Sequence, residues 1–359
     1  MEFIRHRAKQ DNSHNVLSYN ATFCGSLSID LESDVKAFLS PLVDVVRPAR
    51  STTRRFVASV KIYHLGTALL IQNRNLPFRL GRSIAKTKRD GLDHYVFYTP
   101  QSRGTAFVTS DMLKRPRRLD MIIADLSCPL DILIGAGAGI GLILPRLRLS
   151  PLLGEADGVH GCLLSGASPA GALFGRHLVT LARHAPELSL VDALGYLEAA
   201  ALLASRCIAA AVRREADPPV SSAPRGLGAR ARGHIETHLH DPRLNANTLS
   251  DALHTSRTQL YRQFVRFGGI HRYIRNRRLY QAFDLICRPD REPRRISDIA
   301  YSLGFVSEAH FARIFGEHFG LSPRATRAAA RRGEITWPTP PGGAEQNPLE
   351  RWLRELTVA

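Results

Sequence analysis

Cysteine is scarce in this chain of 359 residues. The five present, Cys24, Cys128, Cys162, Cys207 and Cys287, are scattered, odd in number and never closely paired. That excludes a disulfide framework and a close-spaced zinc site, and a reducing cytoplasm is the expected compartment. Long apolar runs are also missing. The longest uncharged one, Ile132 to Pro145, has 14 residues, four of them glycine, short of the roughly 20 that span a bilayer. The first residues, MEFIRHRAKQDNSHN, are polar and lack the apolar core of a signal peptide, so a soluble protein without a membrane partner is expected. Among His64, His94, His160, His177 and His184 there is no H-x-H or H-x-x-x-H pair, so neither a metal nor another cofactor is expected. Lysine is absent between residues 232 and 334, where 18 arginines face 10 acidic residues.

What is present is positive charge and enough apolar residues to fold. The formal net charge is +17 and 44% of residues are hydrophobic, which excludes a wholly disordered chain and favours an anionic partner. The length predicts two domains. Residues 1–34 show no sustained period and read as an N-terminal arm or a loose first strand. Residues 35–212 read as an α+β domain, with extended segments in "RRFVASVKIYHLGTALLI", "HYVFYTP", "GTAFVTS" and "LDMIIADLS". Helical steps follow from about residue 168, broken at Ala185-Pro186. Strands followed by helices suggest a barrel-like segment with helices appended. Residues 213–233 concentrate Pro, Ser, Gly and Arg and read as a linker. Residues 234–330 read as all-helical, and residues 331–359 as a Pro/Gly tail closing on the amphipathic piece "LERWLREL". The run "GAGAGIG", residues 135–141, lacks the glycine spacing and the Lys-Ser/Thr of a phosphate loop and is expected to be a turn or strand connection.

The helical domain repeats itself. An offset of 51 lays Ser256 on Ser307, Leu260 on Phe311, Arg262 on Arg313 and Phe264 on Phe315. Upstream the offset is 50, pairing Leu249 with Ile299 and Leu253 with Leu303, so the second copy has one more residue in its turn. Each copy predicts two short helices, with a serine able to cap the second of them. This is helix-turn-helix geometry at 249–268 and again at 297–319. The segment between them, "IHRYIRNRRLYQAFDLIC", predicts a strut of about 16 residues and about 24 Å. Its apolar stripe is expected to leave Arg272, Arg275, Arg277 and Arg278 free for solvent or phosphate.

The motifs "LSDALHTSRTQLYRQF", "RYIRNRRLYQAF" and "ISDIAYSLGFVSEAHFARIFGEHFGLSPRATR" resemble the DNA-binding domain of the AraC/XylS family of bacterial transcription regulators over about 235–327. His254 departs from the glycine usual in the first turn, and Thr326 from an aromatic. The resemblance implies a transcription activator that works through RNA polymerase, with a cupin-like effector-sensing and dimerisation domain at 35–212. Double-stranded DNA, a small-molecule effector and a second copy of the chain are the other partners it suggests.

With Leu260 and Phe264 inward, the 100° helical step turns Thr258, Tyr261, Arg262 and Val265 outward. The corresponding second face is Ala309, Ala312, Arg313 and Gly316, flanked by Glu308 and His310. Thr258, Tyr261, Arg262, Glu308, Ala309, His310 and Arg313 are therefore the candidate base readers. Arg262 and Arg313 either fork onto guanine edges or hold phosphate, and Arg313 could instead pair with Asp298. Ser256 and Ser307 are expected helix caps, and with Arg257, Arg272, Arg275 and Arg327 form the phosphate-or-cap set. Tyr63, Tyr95, Phe97, Tyr98 and Phe107 either line an effector pocket or form plain core.

Two other readings compete. One is a DNA-repair or other enzyme fused to the same module. An alkyl-transfer enzyme needs a reactive Pro-Cys-type cysteine, whereas Cys128-Pro129 has the reverse order and Cys162 has only His160 nearby. No enzyme is therefore expected. The other is a regulator that answers only to its abundance or to a protein partner.

Overall fold

The computed structural model describes residues 16–25, 29–46, 56–76, 78–90, 92–103, 105–109, 112–134, 137–146, 148–149, 159–214, 227–288, 294–335 and 347–358. The start of the expected arm, most of the expected linker and residues 336–346 of the expected tail lie outside them, as do Gly135 and Ala136 of the glycine run. The chain divides into two compact units. The first comprises Met1–Leu188, Tyr196–Ala223 and Glu345–Thr357; the second comprises Ser189–Gly195, Pro224–Ala344 and Val358–Ala359.

In the first unit, strands β1 (Leu17–Gly25), β3 (Phe56–His64), β4 (Leu69–Arg74), β6 (His94–Pro100), β9 (Met121–Asp125), β11 (Ala138–Pro145) and β12 (Cys162–Leu164) form one antiparallel sheet. Its order is β1-β3-β4-β11-β6-β9-β12. A second sheet has β2 (Asp44–Val46), β5 (Arg79–Arg82), β10 (Leu130–Leu133), β7 (Ala106–Thr109) and β8 (Met112–Lys114), in that order. Helices α1 (Ile29–Leu39) and α2 (Ile84–Asp90) lie between strands in the sequence. Period-two alternation sets the core: Tyr19, Ala21 and Phe23 on β1 and Ala58, Val60 and Ile62 on β3 meet Val45, Leu80, Phe107 and Ile132 of the second sheet. The fold class is thus α+β, and among the described residues the expected barrel-like segment is two sheets, the larger of them open, with β1 and β12 at its two ends. Alternation of apolar residues specifies which face is buried and carries no information about closure. Within the expected arm, Leu17–Gly25 pairs with β3 along all nine residues. The glycine run continues into β11, an interior strand.

Helix α3 (Pro169–His184) starts where Ser168 Oγ accepts from Gly171 N and Pro169 pre-sets the first turn. It ends in the 3₁₀ turn Ala185–Glu187 that contains Pro186. Phe174 packs edge-on to Phe97 at 5.1 Å. Helix α4 (Leu190–Arg214) follows. Its stretch Leu190–Ala211 is long and apolar enough to cross a membrane by length and composition, with 44% of its most apolar window buried. Leu197, Ala200, Ala204, Cys207 and Ile208 are buried at helical spacing, the pattern of an amphipathic core helix.

The C-terminal piece "LERWLREL" is a core element. Helix α12 (Pro348–Val358) belongs to the first unit as far as Thr357, and Leu349, Trp352, Leu353 and Leu356 join the core between the sheets. Asn347 fixes its start, donating to Phe38 O at 2.8 Å and accepting from Leu349 N at 3.0 Å. Trp352 sits edge-on to His64 at 5.5 Å, and His64 Nε2 lies 3.2 Å from Glu355 Oε2. Gly66 N donates to His64 Nδ1, so Nδ1 carries a lone pair and the proton belongs on Nε2, facing the carboxylate.

The second unit holds helices α5 (Leu227–Thr237), α6 (Ala246–Ala252), α7 (Arg257–Phe264), α8 (Ile270–Cys287), α9 (Ile296–Ser302), α10 (Glu308–Phe319) and α11 (Pro323–Arg331). Ile235, Leu239, Leu249, Leu253, Leu260, Phe264 and Tyr273 form one core cluster. Around the second repeat Phe283, Phe305, Phe311, Phe315 and Phe319 form a continuous ring-to-ring chain. The strut α8 has 18 residues, about 27 Å at the helical rise.

Candidate nucleic-acid interface

Each repeat forms its turn the same way. Thr255 N donates to Ser250 O at 3.1 Å in the first, and Phe305 N to Ala300 O at 3.1 Å in the second. Both turns need a left-handed residue. Gly304 supplies it at φ +75°, and His254 adopts φ +49° in its place, at a cost of roughly 1–2 kcal/mol for a residue with a Cβ. A Cβ on Gly304 would lie 2.7 Å from Arg278 Nη2 and 3.1 Å from Leu239 O, so this glycine answers to packing as well as to φ.

The contact with Arg278 corrects the sequence reading of α8. Arg278 is buried and donates to Leu239 O at 2.9 Å, Asp241 O at 2.6 Å and Gly304 O at 3.2 Å. It ties the carbonyls beyond α5 to the second turn, and burial lowers its pKa despite nearby Asp241. Arg277 is buried too and forks onto Glu236, with Nη2 at 2.7 Å from Oε2. Burial works against its charge, and Glu236 outweighs burial and raises its pKa. Neither is available to phosphate. Glu236, the carbonyls of Leu239 and Asp241 and the second turn cover α8 on the side of these two arginines, opposite its apolar stripe. Arg272 and Arg275 do remain exposed. They lie near enough to His318 of α10 to help burial, the larger cause, hold its pKa down.

Asn245 starts α6 with a capping box to Thr248. Ser256 Oγ accepts from Gln259 N at 3.3 Å, and Ser307 Oγ from His310 N at 3.3 Å. On α7, Leu260 and Phe264 are fully buried, while Thr258, Tyr261, Arg262 and Val265 are exposed. Arg262 makes no ion pair among the described residues. It lines a cleft of about 400 Å³ with Arg230, His254, Gln259 and Gln263. Arg230, on α5, carried no motif, and only the fold brings it beside α7. Arg257 is drawn back to α6, donating to Asn247 Oδ1 at 3.1 Å.

On α10, Phe311, Ile314, Phe315 and Phe319 face inward. Ala309, His310 and Arg313 are exposed; Glu308, Ala312 and Gly316 are half-buried. A Cβ added to Gly316 would meet nothing within 4 Å, so the outer face is bare. Arg313 pairs one turn along with Glu317 at 2.6 Å, rather than with Asp298. Both groups are exposed, and such a pair contributes only about 0.3–0.5 kcal/mol, little resistance to a phosphate or base. Ser322 caps α11. Arg327 on that helix is half-buried, its pKa lowered by burial and then by Arg331. Thr326 is fully buried.

The five aromatic effector candidates are all buried, but they do not line one cavity. Tyr98 and Phe107 lie in the core between the sheets. Tyr98 donates to Asn73 Oδ1 at 3.2 Å. Tyr63, Tyr95 and Phe97 alternate with inward residues and fall on the other face of the large sheet. There Tyr95 stacks under Arg146 at 4.3 Å, and Arg146 pairs with Asp93 at 2.6 Å and with Asp125. Among the described residues no group of three or more His, Cys, Asp or Glu could hold a metal ion. Burial pushes the Cys207 thiol up to about 12 and raises that of Cys287.

Two capped helices, each presented by a glycine-type turn and held by a common strut, define a double helix-turn-helix DNA-binding module. A helix-turn-helix domain family model matches residues 249–329. The probable transcription factor PqrA of Proteus vulgaris is 34% identical over 96 residues, 26% of this chain and 76% of that protein. The HTH-type transcriptional activator RhaS of Enterobacter sp. (strain 638) is 32% identical over 95 residues, 26% of this chain and 33% of RhaS. The match thus spans about a third of RhaS. The crystal structure of the AraC-like transcriptional activator CuxR shares the fold, with a TM-score of 0.60 at 22% identity over 79% of this chain and 99% of that one. The chain belongs to the AraC/XylS family of bacterial DNA-binding transcription regulators.

Proposed function

We propose that the protein binds a specific operator through both helix-turn-helix motifs and activates transcription there by contact with RNA polymerase. The observation that carries this reading is the pairing of two capped helices whose outer faces are free of core packing: Thr258, Tyr261 and Arg262 on α7, and Ala309, His310 and Arg313 on α10. The first face supplies base readers, with Arg262 as a guanine fork. The second, bare except for Arg313, supplies close fit to the groove and one strong contact. Ser256, Ser307, Arg272 and Arg275 surround them with phosphate ligands.

The first unit senses a small molecule and joins two copies of the chain, and the protein acts in the cytoplasm, where its DNA is. Cys162, one of the two cysteines weighed for alkyl transfer, is buried, and the protein acts by binding. Footprinting on DNA beside the protein's own gene tests the reading. The expected result is two protected major-groove segments about one helical turn, roughly 34 Å, apart. A single protected segment, or uniform protection without sequence preference, would overturn it.

A further inference from the structure

The outer face of the large sheet carries a cleft that none of the aromatic candidates line. Lys61 of β3 stands opposite Gln72 of β4, and Arg74 lies two residues further along the same strand. Opposite and i+2 positions share a face, so these three side chains project together. Helix α3 closes one side, fastened by Gln72 Nε2 onto Ala182 O, and it adds Arg183 to the rim. The cleft measures about 410 Å³, within the range of small-molecule sites.

Its ionisable lining is of one sign. Lys61, Arg74 and Arg183 are there, and no carboxylate is. None of the three has an ion-pair or hydrogen-bond partner among the described residues, whereas other basic groups of this unit do: Arg79 is paired with Asp131, Arg82 with Asp90 and Arg146 with Asp93. The carboxyl end of α3 accounts for Arg183 alone, since a helix terminus favours a cation in its last turn. It does not account for Lys61 and Arg74, which come from the sheet. One carbonyl of that terminus, that of Ala182, accepts from Gln72. No aromatic ring lines the cleft, so nothing in it would stack on a base. Charge and amide donors do the recognising.

We infer that this cleft is a binding site for a small polyanion, an organic molecule bearing two or more phosphate or carboxylate charges. The inference rests on the sensing role proposed above for the first unit and names the chemistry of the ligand. The test is calorimetric titration of the full-length protein at constant ionic strength, with pyrophosphate and with citrate to separate phosphate from carboxylate chemistry. Three proteins are compared: the parent, the double variant Lys61→Gln/Arg74→Gln, and Lys36→Gln as a control that removes one exposed charge away from the cleft. Neither site residue packs in the core, so the double variant should keep the parent's melting temperature. At least one anion should bind the parent and Lys36→Gln alike and bind the double variant at least tenfold more weakly. Equal binding to all three overturns the site, as does binding of neither anion to the parent. Loss of random-duplex binding in the double variant without any small-anion binding also overturns it, assigning these cations to DNA. Sensing itself is judged separately, by whether fractions of cell extract alter the operator footprint; a response there with no effect of either anion leaves sensing standing and this site refuted.

Discussion

Truncating Leu353 to alanine tests whether the C-terminal helix is part of the first unit's core. Leu353 is only 2% exposed and packs with Leu349, Trp352 and Leu356 among residues of both sheets. Removing its branched end forfeits the transfer energy of the lost methyl groups and leaves a cavity, together about 2–5 kcal/mol for a buried leucine. Neighbours here come from two β-sheets whose hydrogen bonds resist collapse into the gap, which places the expectation at about 3 kcal/mol. With a urea slope of about 2–3 kcal/mol/M, the midpoint should fall by about 1–1.5 M. The assay is urea unfolding followed by tryptophan emission. The sequence has two tryptophans, Trp337 and Trp352, so the experiment is run in a Trp337→Phe background in which Trp352 alone reports. The folded protein should emit at short wavelength, since Trp352 is 3% exposed, and shift to the red in the same transition. A midpoint shift below about 0.3 M, or a native emission already typical of solvated tryptophan, would refute the placement of this helix.

Other expectations follow from the second unit and its histidines. His254→Gly relieves left-handed strain of about 1–2 kcal/mol and adds back about 0.5–1 kcal/mol of chain entropy, so stability measured by thermal melting should rise by up to about 1 kcal/mol. A fall would show that the His254 side chain makes a stabilising contact. Arg278→Met takes the guanidinium donor from Leu239 O and Gly304 O, while Asp241 O keeps Leu244 N, and should cost about 3 kcal/mol, read as loss of helical signal on urea titration. No measurable loss would show the clamp to be dispensable. His160, His177, His234 and His318 are all held below the ordinary imidazole pKa, each chiefly by burial. The unfolded chain therefore binds their protons more readily, and stability should fall as pH drops below about 6.5. A melting temperature that rises between pH 7 and pH 5 contradicts this.

The DNA-binding half was largely legible because its signals are local. Leu260 and Phe264, repeated 51 residues later as Phe311 and Phe315, mark the buried faces by spacing alone, and Ser256 and Ser307 mark helix starts by their chemistry. Arg277 and Arg278 were misread because the sequence shows one apolar stripe on α8 and not how many neighbours cover its other sides. Partners at long range were equally hidden. Nothing in "LERWLREL" states that its leucines join the core of two sheets built from residues 17–164. Tyr63, Tyr95, Phe97, Tyr98 and Phe107 share strand-like segments, yet their parity divides them between two faces. Whether a barrel-like segment closes depends on which strands pair, and no local pattern encodes that β1 and β12 end the large sheet.

The most direct test of the central claim is the affinity of Arg262→Ala for the operator and for random duplex DNA at one salt concentration. Arg262 is exposed, unpaired among the described residues and on the outer face of α7. The account predicts a loss of about 1–3 kcal/mol at the operator, relaxed preference at one base pair and a much smaller change on random DNA. An equal loss on both would contradict it, reducing Arg262 to a phosphate contact and moving the choice of sequence elsewhere.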